Sequence, residues 1–275
     1  MNSLPTFKRT RIAPTPSGFL HVGNLAGFLL TRDLATRTNA RLLLRIDDLD
    51  RARMRQEYLQ DIFYSLKFIG IGWNEGPEDV QDFGKTFSQI HRMPLYHEAL
   101  NELRRLKKVF ACVCSRTTLE NGCHCREKNI LLDEKEVAWR LDTSDDHTLK
   151  ITVLGKPAVQ TKLPGSMKDF IVRKKDGFPS YQLTSLIDDL HFEVDLIVRG
   201  ADLWESTLAQ MYLARVLDKD RFCESTFVHH ELVKGRNGQK LSKSAGDSSL
   251  RRIKAENISR EEVINASNLL SRGLF

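Results

Sequence analysis

The first part of the chain alternates between strand and helix in a way that few folds accommodate. A β-like segment at 8–13 runs into a Pro/Gly turn, and a helical pattern follows over 22–38. The apolar run at 41–46 then predicts a buried strand. Strand, glycine-containing loop, helix and strand in this order form a βαβ unit, so we predict an α/β fold with a parallel sheet.

This alternation is interrupted once, at residues 110–164. The segment carries four closely spaced cysteines and short β-like pieces between polar turns, which is typical of an inserted α+β module. The α/β rhythm returns afterwards, and Ser259 with Glu262 predicts a capping box at the start of a last helix. The predicted organisation is a catalytic domain in two halves, at 1–109 and 165–250, with an inserted module at 110–164 between them. A short helical C-terminal segment follows at 251–275.

Composition narrows the class of protein. The formal net charge of +6 fits either simple solubility or a polyanionic partner such as a nucleic acid. The N-terminus has no apolar signal-peptide region, and no apolar run approaches the ~20 residues of a membrane-spanning helix. We therefore expect a cytoplasmic protein without a membrane partner, and we expect it to be a monomer.

A candidate phosphate site lies where the first predicted strand meets the first helix. His21 and Gly23 open that helix, whose N-terminus offers unpaired N–H groups and a positive dipole. Gly23 lets a nucleotide approach the backbone closely, and the His21 ring can donate to a phosphate oxygen. A turn that only connects a strand to a helix has the same pattern, so this stretch alone does not distinguish a phosphate site from a simple connection.

A second candidate phosphate site is the basic segment KLSKS at 240–244. Lys240 and Lys243 lie three residues apart, with Ser242 between them. Two ammonium groups beside hydroxyl donors form a phosphate clamp. An exposed basic loop is the alternative interpretation of this segment.

Together the two motifs resemble the signatures of class I aminoacyl-tRNA synthetases, in particular the glutamyl/glutaminyl subgroup. The segments that carry the subgroup resemblance are 11–18 (RIAPTPSG), 45–51 (RIDDLDR), Tyr181, Asp188 with Asp189, and 197–202 (IVRGAD). The resemblance runs in order from Arg11 to Ser244. It implies a Rossmann-like nucleotide-binding fold and an enzyme that activates glutamate with ATP.

The resemblance also implies which residues bind glutamate. Arg11 and Arg199 are expected to hold its carboxylates, since guanidinium groups match carboxylate geometry. Tyr181 is expected to hydrogen-bond to the substrate, and Thr15 supplies a hydroxyl where the family usually has serine. Asp47 stands where the family usually has glutamate, and its side chain is one methylene shorter for contact with the substrate ammonium.

For ATP, the resemblance implies a binding set at the two motifs. Its members are His21, Gly23, Asn24, Lys240, Ser242 and Lys243. His21, Lys240 and Lys243 are the expected catalytic residues, which stabilise the α-phosphorus while the glutamate carboxylate displaces pyrophosphate and forms glutamyl-adenylate. Mg²⁺ is expected to accompany ATP without a protein site of its own.

The cysteine cluster predicts a structural metal site. Cys112 and Cys114 form one Cys-x-Cys pair, and Cys123 and Cys125 form another; tetrahedral zinc accepts four such thiolates. His124 is a competing ligand, and unpaired thiols are the alternative. The resemblance extends to this cluster, because the glutamyl-Q tRNA(Asp) synthetase branch of the family often carries a Cys-x-Cys zinc hairpin here. Cys112, Cys114 and Cys125 match its pattern, and the resemblance implies that Cys123 replaces a ligand that is often tyrosine.

The acceptor of glutamate is the remaining question. The sequence ends soon after the KLSKS segment, whereas a full glutamyl-tRNA synthetase continues with an anticodon-binding part. We therefore expect the glutamyl-Q branch, which attaches glutamate to the queuosine base of tRNA(Asp). The alternatives are a stand-alone or truncated glutamyl- or glutaminyl-tRNA ligase core, another nucleotidyl-transfer enzyme of the superfamily, and a non-catalytic tRNA-binding paralogue.

Overall fold

The computed structural model describes residues 4–115, 123–233 and 259–272. Within these residues, two sheets and several helices bury three clusters of apolar side chains. The strands are β1 (Arg9–Ile12), β2 (Arg41–Leu44), β3 (Val109–Cys112), β4 (Ala138–Leu141), β5 (Leu149–Val153), β6 (Val159–Thr161), β7 (Ile171–Arg173), β8 (Leu196–Gly200) and β9 (Thr226–His230). The α-helices are α1 (Val22–Arg37), α2 (Gln56–Ile69), α3 (Val80–Asp82), α4 (Met93–Arg105), α5 (Tyr181–His191), α6 (Trp204–Val216), α7 (Asp220–Cys223) and α8 (Arg260–Ser271).

The main sheet has six strands in the order β2-β1-β8-β9-β5-β6. The first five run parallel, and β6 pairs antiparallel with β5 at one edge. Strand β1 lies between β2 and β8, so the strand order continues to opposite sides of β1. The carboxyl ends of β1 and β8 therefore form a topological switch point. The predicted α/β fold with a parallel sheet is confirmed.

Local sequence signals set the ends of several helices. His21 and Asn24 form a reciprocal capping box at the start of α1. Helix α2 ends at Gly70, whose φ of 72° is a left-handed conformation that suits glycine. The capping box predicted from Ser259 and Glu262 is present at the start of α8. None of the helices within the described residues is both long and apolar enough to cross a bilayer.

Apolar packing fixes α1 between the sheet and other helices. Helix α1 contacts α8 along much of its length, and it also contacts β1, β8 and α2. Its side chains Leu25, Leu30 and Leu34 are all at most 2% exposed. A helix covered on several sides in this way is apolar around most of its surface, unlike the amphipathic α2, which has one buried face.

The small sheet contains β3, β4 and β7 in antiparallel pairing. It draws strands from both sides of residue 164, while β5, from within 110–164, pairs in parallel with β9 of the main sheet. The inserted segment is therefore joined to the main sheet through β5. The division of the chain at 109/110 and 164/165 stays a prediction.

Candidate active site

A cleft of about 420 Å³ lies at the switch point of the main sheet. Open parallel sheets bind ligands at this position, because the loops after neighbouring strands diverge there. Eight of the residues predicted for glutamate or ATP line the cleft, from β1, the 13–24 segment, the loop after β2, the start of α5 and the end of β8. They are Arg11, Thr15, His21, Gly23, Asn24, Asp47, Tyr181 and Arg199.

One end of the cleft is a buried network of opposite charges. Arg45 donates from Nε to Oδ1 of Asp47 at 2.7 Å and from Nη1 to Oδ1 of Asp189 at 2.7 Å. Arg11 donates from Nε to the same Asp189 oxygen at 2.8 Å. Although burial raises the pKa of Asp189, the charges of Arg11 and Arg45 hold it below its ordinary value. Asp189 is therefore ionised and fixes two arginines in place.

Arg199 is the exception in this network, because much of its guanidinium is unpaired. Nη1 donates to Oε1 of Gln210 at 2.9 Å, while the buried Nε and Nη2 have no partner among the described residues. Burial lowers the pKa of Arg199 to about 10, which still leaves it charged at neutral pH. Nε and Nη2 form one edge of the guanidinium, and this edge suits a two-point contact with a carboxylate.

The carboxylate of Asp47, predicted to contact the substrate ammonium, is already paired with an arginine of the protein. Its Oδ1 and Oδ2 both accept from Arg45, at 2.7 and 2.9 Å. Burial raises the pKa of Asp47, and the charge of Arg45 opposes that rise. Each carboxylate oxygen has a second acceptor position, so a contact with a substrate ammonium stays a prediction.

The other end of the cleft is lined by the start of α1 and the end of β9. The Nδ1 atom of His21 accepts from the backbone N–H of Asn24 at 3.3 Å, so the neutral ring carries its proton on Nε2. Gly27 packs against His230 so closely that a Cβ at that position would lie 2.8 Å from Nε2 of His230. The absence of a side chain at Gly27 thus brings α1 and β9 together beside the cleft.

Lys240, Ser242 and Lys243 lie outside the described residues. Their roles in ATP binding and catalysis stay predictions from the sequence.

The neighbouring Asp188 holds a second network that sequence reasoning did not predict. It accepts from Nε of Arg92 at 2.7 Å, from the hydroxyl of Tyr96 at 2.6 Å and from Nε2 of Gln89 at 2.9 Å. Gln89 also accepts from the backbone N–H of Leu49 at 3.0 Å. Consecutive helix residues point about 100° apart, so Asp189 faces Arg11 and Arg45 while Asp188 ties α5 to α4 and to the loop after β2.

The four clustered cysteines converge as predicted, with all four Sγ atoms within 4.8 Å of one another. The Sγ of Cys123 lies 3.5 Å from that of Cys112 and 3.9 Å from that of Cys114, and Cys114 lies 3.5 Å from Cys125. Tetrahedral zinc with bonds of about 2.3 Å to sulfur needs edges of about 3.8 Å, so the separations fit. Neither ring nitrogen of His124 belongs to this group of candidate metal ligands.

Comparison with known proteins assigns this chain to a family. Residues 8–273 match the family described as tRNA synthetases class I (E and Q), catalytic domain. The chain belongs to this family. The expected enzyme class, a ligase of the class I aminoacyl-tRNA synthetases, is thereby confirmed.

Individual members of this synthetase family show how the similarity is distributed. The chain is 33% identical to a glutamyl-Q tRNA(Asp) synthetase of Symbiobacterium thermophilum, over 95% of this chain and 85% of that protein. It is 28% identical to glutamate--tRNA ligase 2 of Syntrophus aciditrophicus, over 100% of this chain and 59% of that protein. The crystal structure of the glutamate-tRNA synthetase from Elizabethkingia anophelis matches with a TM-score of 0.71 at 20% identity, over 87% of this chain and 53% of that chain, which supports the synthetase fold.

Proposed function

We propose that this synthetase activates L-glutamate with ATP and transfers it to a tRNA. The observation that carries the proposal is the unpaired, buried edge of Arg199 at the switch-point cleft. Two buried guanidinium N–H donors without an acceptor are costly, and the side-chain carboxylate of glutamate would satisfy them with two charge-assisted hydrogen bonds. Membership of the E and Q family supports the same substrate.

The proposed reaction has two steps. An oxygen of the α-carboxylate of glutamate bonds to the α-phosphorus of ATP, the bond to the bridging oxygen breaks, and pyrophosphate leaves. The acceptor then attacks the acyl carbon of glutamyl-adenylate, and AMP leaves. In this proposal His21, at the start of α1, donates from Nε2 to a phosphate oxygen; in support, its Nδ1 accepts from Asn24, and the helix dipole favours negative charge there. Mg²⁺ bound to ATP would screen the phosphate charge.

The acceptor we propose is the queuosine base of tRNA(Asp). In support, the chain is 33–34% identical to two glutamyl-Q tRNA(Asp) synthetases and covers 80–85% of their length. It is 28–31% identical to glutamate--tRNA ligases and covers 51–59% of theirs. A glutamyl-tRNA ligase core is the second candidate, favoured by the similarity of this chain to those ligases. The two candidates differ in the tRNA atom that receives glutamate.

ATP–pyrophosphate exchange tests the proposed activation. We expect exchange that depends on glutamate, that glutamine and aspartate do not replace, and that proceeds without tRNA. Exchange that requires tRNA would instead support the glutamyl-tRNA ligase. The absence of exchange with all three amino acids, together with tRNA binding in a gel-shift assay, would support a non-catalytic paralogue and overturn the proposal.

We also propose that the four converging cysteines hold a structural zinc ion. Cys112 and Cys125 are buried, and four protein ligands leave no open position for catalysis. Cys112 ends β3 of the small sheet and Cys125 begins the short helical turn Cys125–Lys128, so the metal would tie that turn to the sheet.

Metal analysis of the purified protein tests the zinc proposal. We expect about one zinc per chain, and a clear loss of bound zinc in Cys114→Ser, because a tetrahedral site loses one of its four thiolates. Cys223→Ser is the matched control, since Cys223 lies outside the cluster, and its zinc content should equal that of the wild type. Folded wild-type protein without zinc would contradict the proposal.

A further inference from the structure

Gln210 stands behind the proposed glutamate site and was not predicted from the sequence. It lies on α6 and is 0% exposed, and its Oε1 accepts from Nη1 of Arg199 at 2.9 Å. Its own Nε2 has no partner among the described residues. Gln210 does not line the cleft, so its effect on a ligand must pass through Arg199.

Stability does not explain a glutamine at this position. A buried donor without a partner destabilises the fold, and an apolar side chain of similar size would avoid that cost. The amide is well suited to one task, which is to accept a hydrogen bond from Arg199 without bringing a charge. A glutamate in the same place would also accept this bond and would neutralise Arg199.

The charge of the surrounding cluster shows why neutrality matters. The buried carboxylates Asp47 and Asp189 form ion pairs with Arg11 and Arg45, so these two negative charges offset two positive charges. Arg199 forms no ion pair with a carboxylate among the described residues, and its charge is therefore the positive excess at this end of the cleft.

Neighbouring histidines do not change this balance. His229 pairs with Arg199 in the register of β8 and β9, and burial together with the charge of Arg199 lowers the pKa of His229 to about 3. Burial also lowers the pKa of His230. Both rings are neutral at neutral pH, so the uncompensated charge stays with the guanidinium that has a free edge.

We propose that Gln210 is a positioning residue that sets the choice between glutamate and glutamine. By holding Arg199 with an uncharged oxygen, it orients the free Nε–Nη2 edge and preserves the positive excess that a substrate carboxylate cancels. A glutamine side chain leaves that excess uncompensated in a buried site. This inference rests on the proposed activation of glutamate.

Two variants of similar size separate charge from shape. Gln210→Glu keeps the acceptor but cancels the positive excess, whereas Gln210→Met removes the acceptor and keeps the charge of the cluster. KM and kcat for glutamate, glutamine and ATP are measured by ATP–pyrophosphate exchange, with thermal unfolding of each variant as a check of the fold.

We expect Gln210→Glu to raise the KM for glutamate by about 10²-fold, which corresponds to the loss of a charge-assisted contact. Its preference for glutamate over glutamine in kcat/KM should fall by a similar factor, while the KM for ATP stays within about twofold. Gln210→Met should keep the preference for glutamate with a rise in KM of about tenfold or less, because only the orientation of Arg199 is loosened.

Three outcomes would overturn this inference. The first is an unchanged preference in folded Gln210→Glu. Another is an equal loss of preference in Gln210→Met, which would mean that shape decides; this variant also serves as the test if Gln210→Glu does not fold. Wild-type protein without glutamate-dependent exchange would overturn the proposed function and this inference together, whereas the first two outcomes leave the proposed function intact.

Discussion

Replacing Lys243 with alanine is expected to lower glutamate-dependent ATP–pyrophosphate exchange by about 10²–10³-fold while leaving the fold intact. Negative charge develops on the phosphate oxygens as the glutamate carboxylate attacks, and the ammonium group stabilises this charge more in the transition state than in the ground state. The loss should therefore appear in kcat more than in KM.

The control for Lys243→Ala is an exposed lysine outside the cleft. Lys162 is 65% exposed in its side chain and pairs with Asp146, so Lys162→Ala should leave exchange unchanged. The exchange rate of Lys243→Arg should lie between those of Lys243→Ala and Lys162→Ala, because arginine keeps the positive charge but differs from lysine in shape and reach. Near-normal exchange by folded Lys243→Ala would remove Lys243 from the catalytic role.

Replacing Asp189 with asparagine is expected to lower the free energy of unfolding by about 3–5 kcal/mol, the usual cost of removing one partner from a buried ion network. Asp189 is 0% exposed and accepts from Arg11 and Arg45 at 2.8 and 2.7 Å. In Asp189→Asn, both buried guanidinium groups lose the charge that compensates them. Chemical denaturation monitored by circular dichroism measures the change.

The acid dependence of stability gives a second measurement on the same variant. Because Arg11 and Arg45 hold the pKa of Asp189 below its unfolded value of about 3.9, this carboxylate stabilises the fold above that pH. The stabilisation is lost as the pH falls through the folded pKa. Asp189→Asn should therefore be less sensitive to acid than the wild type.

An exposed ion pair provides the matched control for Asp189→Asn. Asp133 pairs with Arg104 at 2.6 Å, and its side chain is 68% exposed. Asp133→Asn should unfold at the same denaturant concentration as the wild type, since solvent screens such pairs. If Asp189→Asn were as stable as Asp133→Asn, the buried ion pairs of Asp189 with Arg11 and Arg45 would not stabilise the fold.

The sequence predicted elements whose signals are local. The strand at 8–13 corresponds to β1, the helix at 22–38 to α1, and the capping box of Ser259 and Glu262 is formed. Each of these depends on residues within one or two turns of one another, so turn chemistry and apolar periodicity were sufficient. The parallel pairing of β1 with β2 also agrees with the βαβ unit predicted at the start of the chain.

Pairing between distant segments was harder to predict. Strand β9 was not predicted, although it pairs with both β8 and β5 at the centre of the main sheet. Strand β5 was grouped with the inserted module because it follows the cysteine segment in the chain. Strand pairing depends on partners far away in sequence, and a short apolar run does not specify them.

The amino-acid sequence by itself determined the family, the βαβ start of the fold, the convergence of the cysteines and eight of the residues that line the cleft. Only the tertiary structure decided the partners of the buried charges: that Arg45 bridges Asp47 and Asp189, and that Gln210 holds Arg199. The physical reason is that motif residues are chosen for their own chemistry. The charge and direction of a buried side chain, by contrast, depend on neighbours that folding brings together from distant elements.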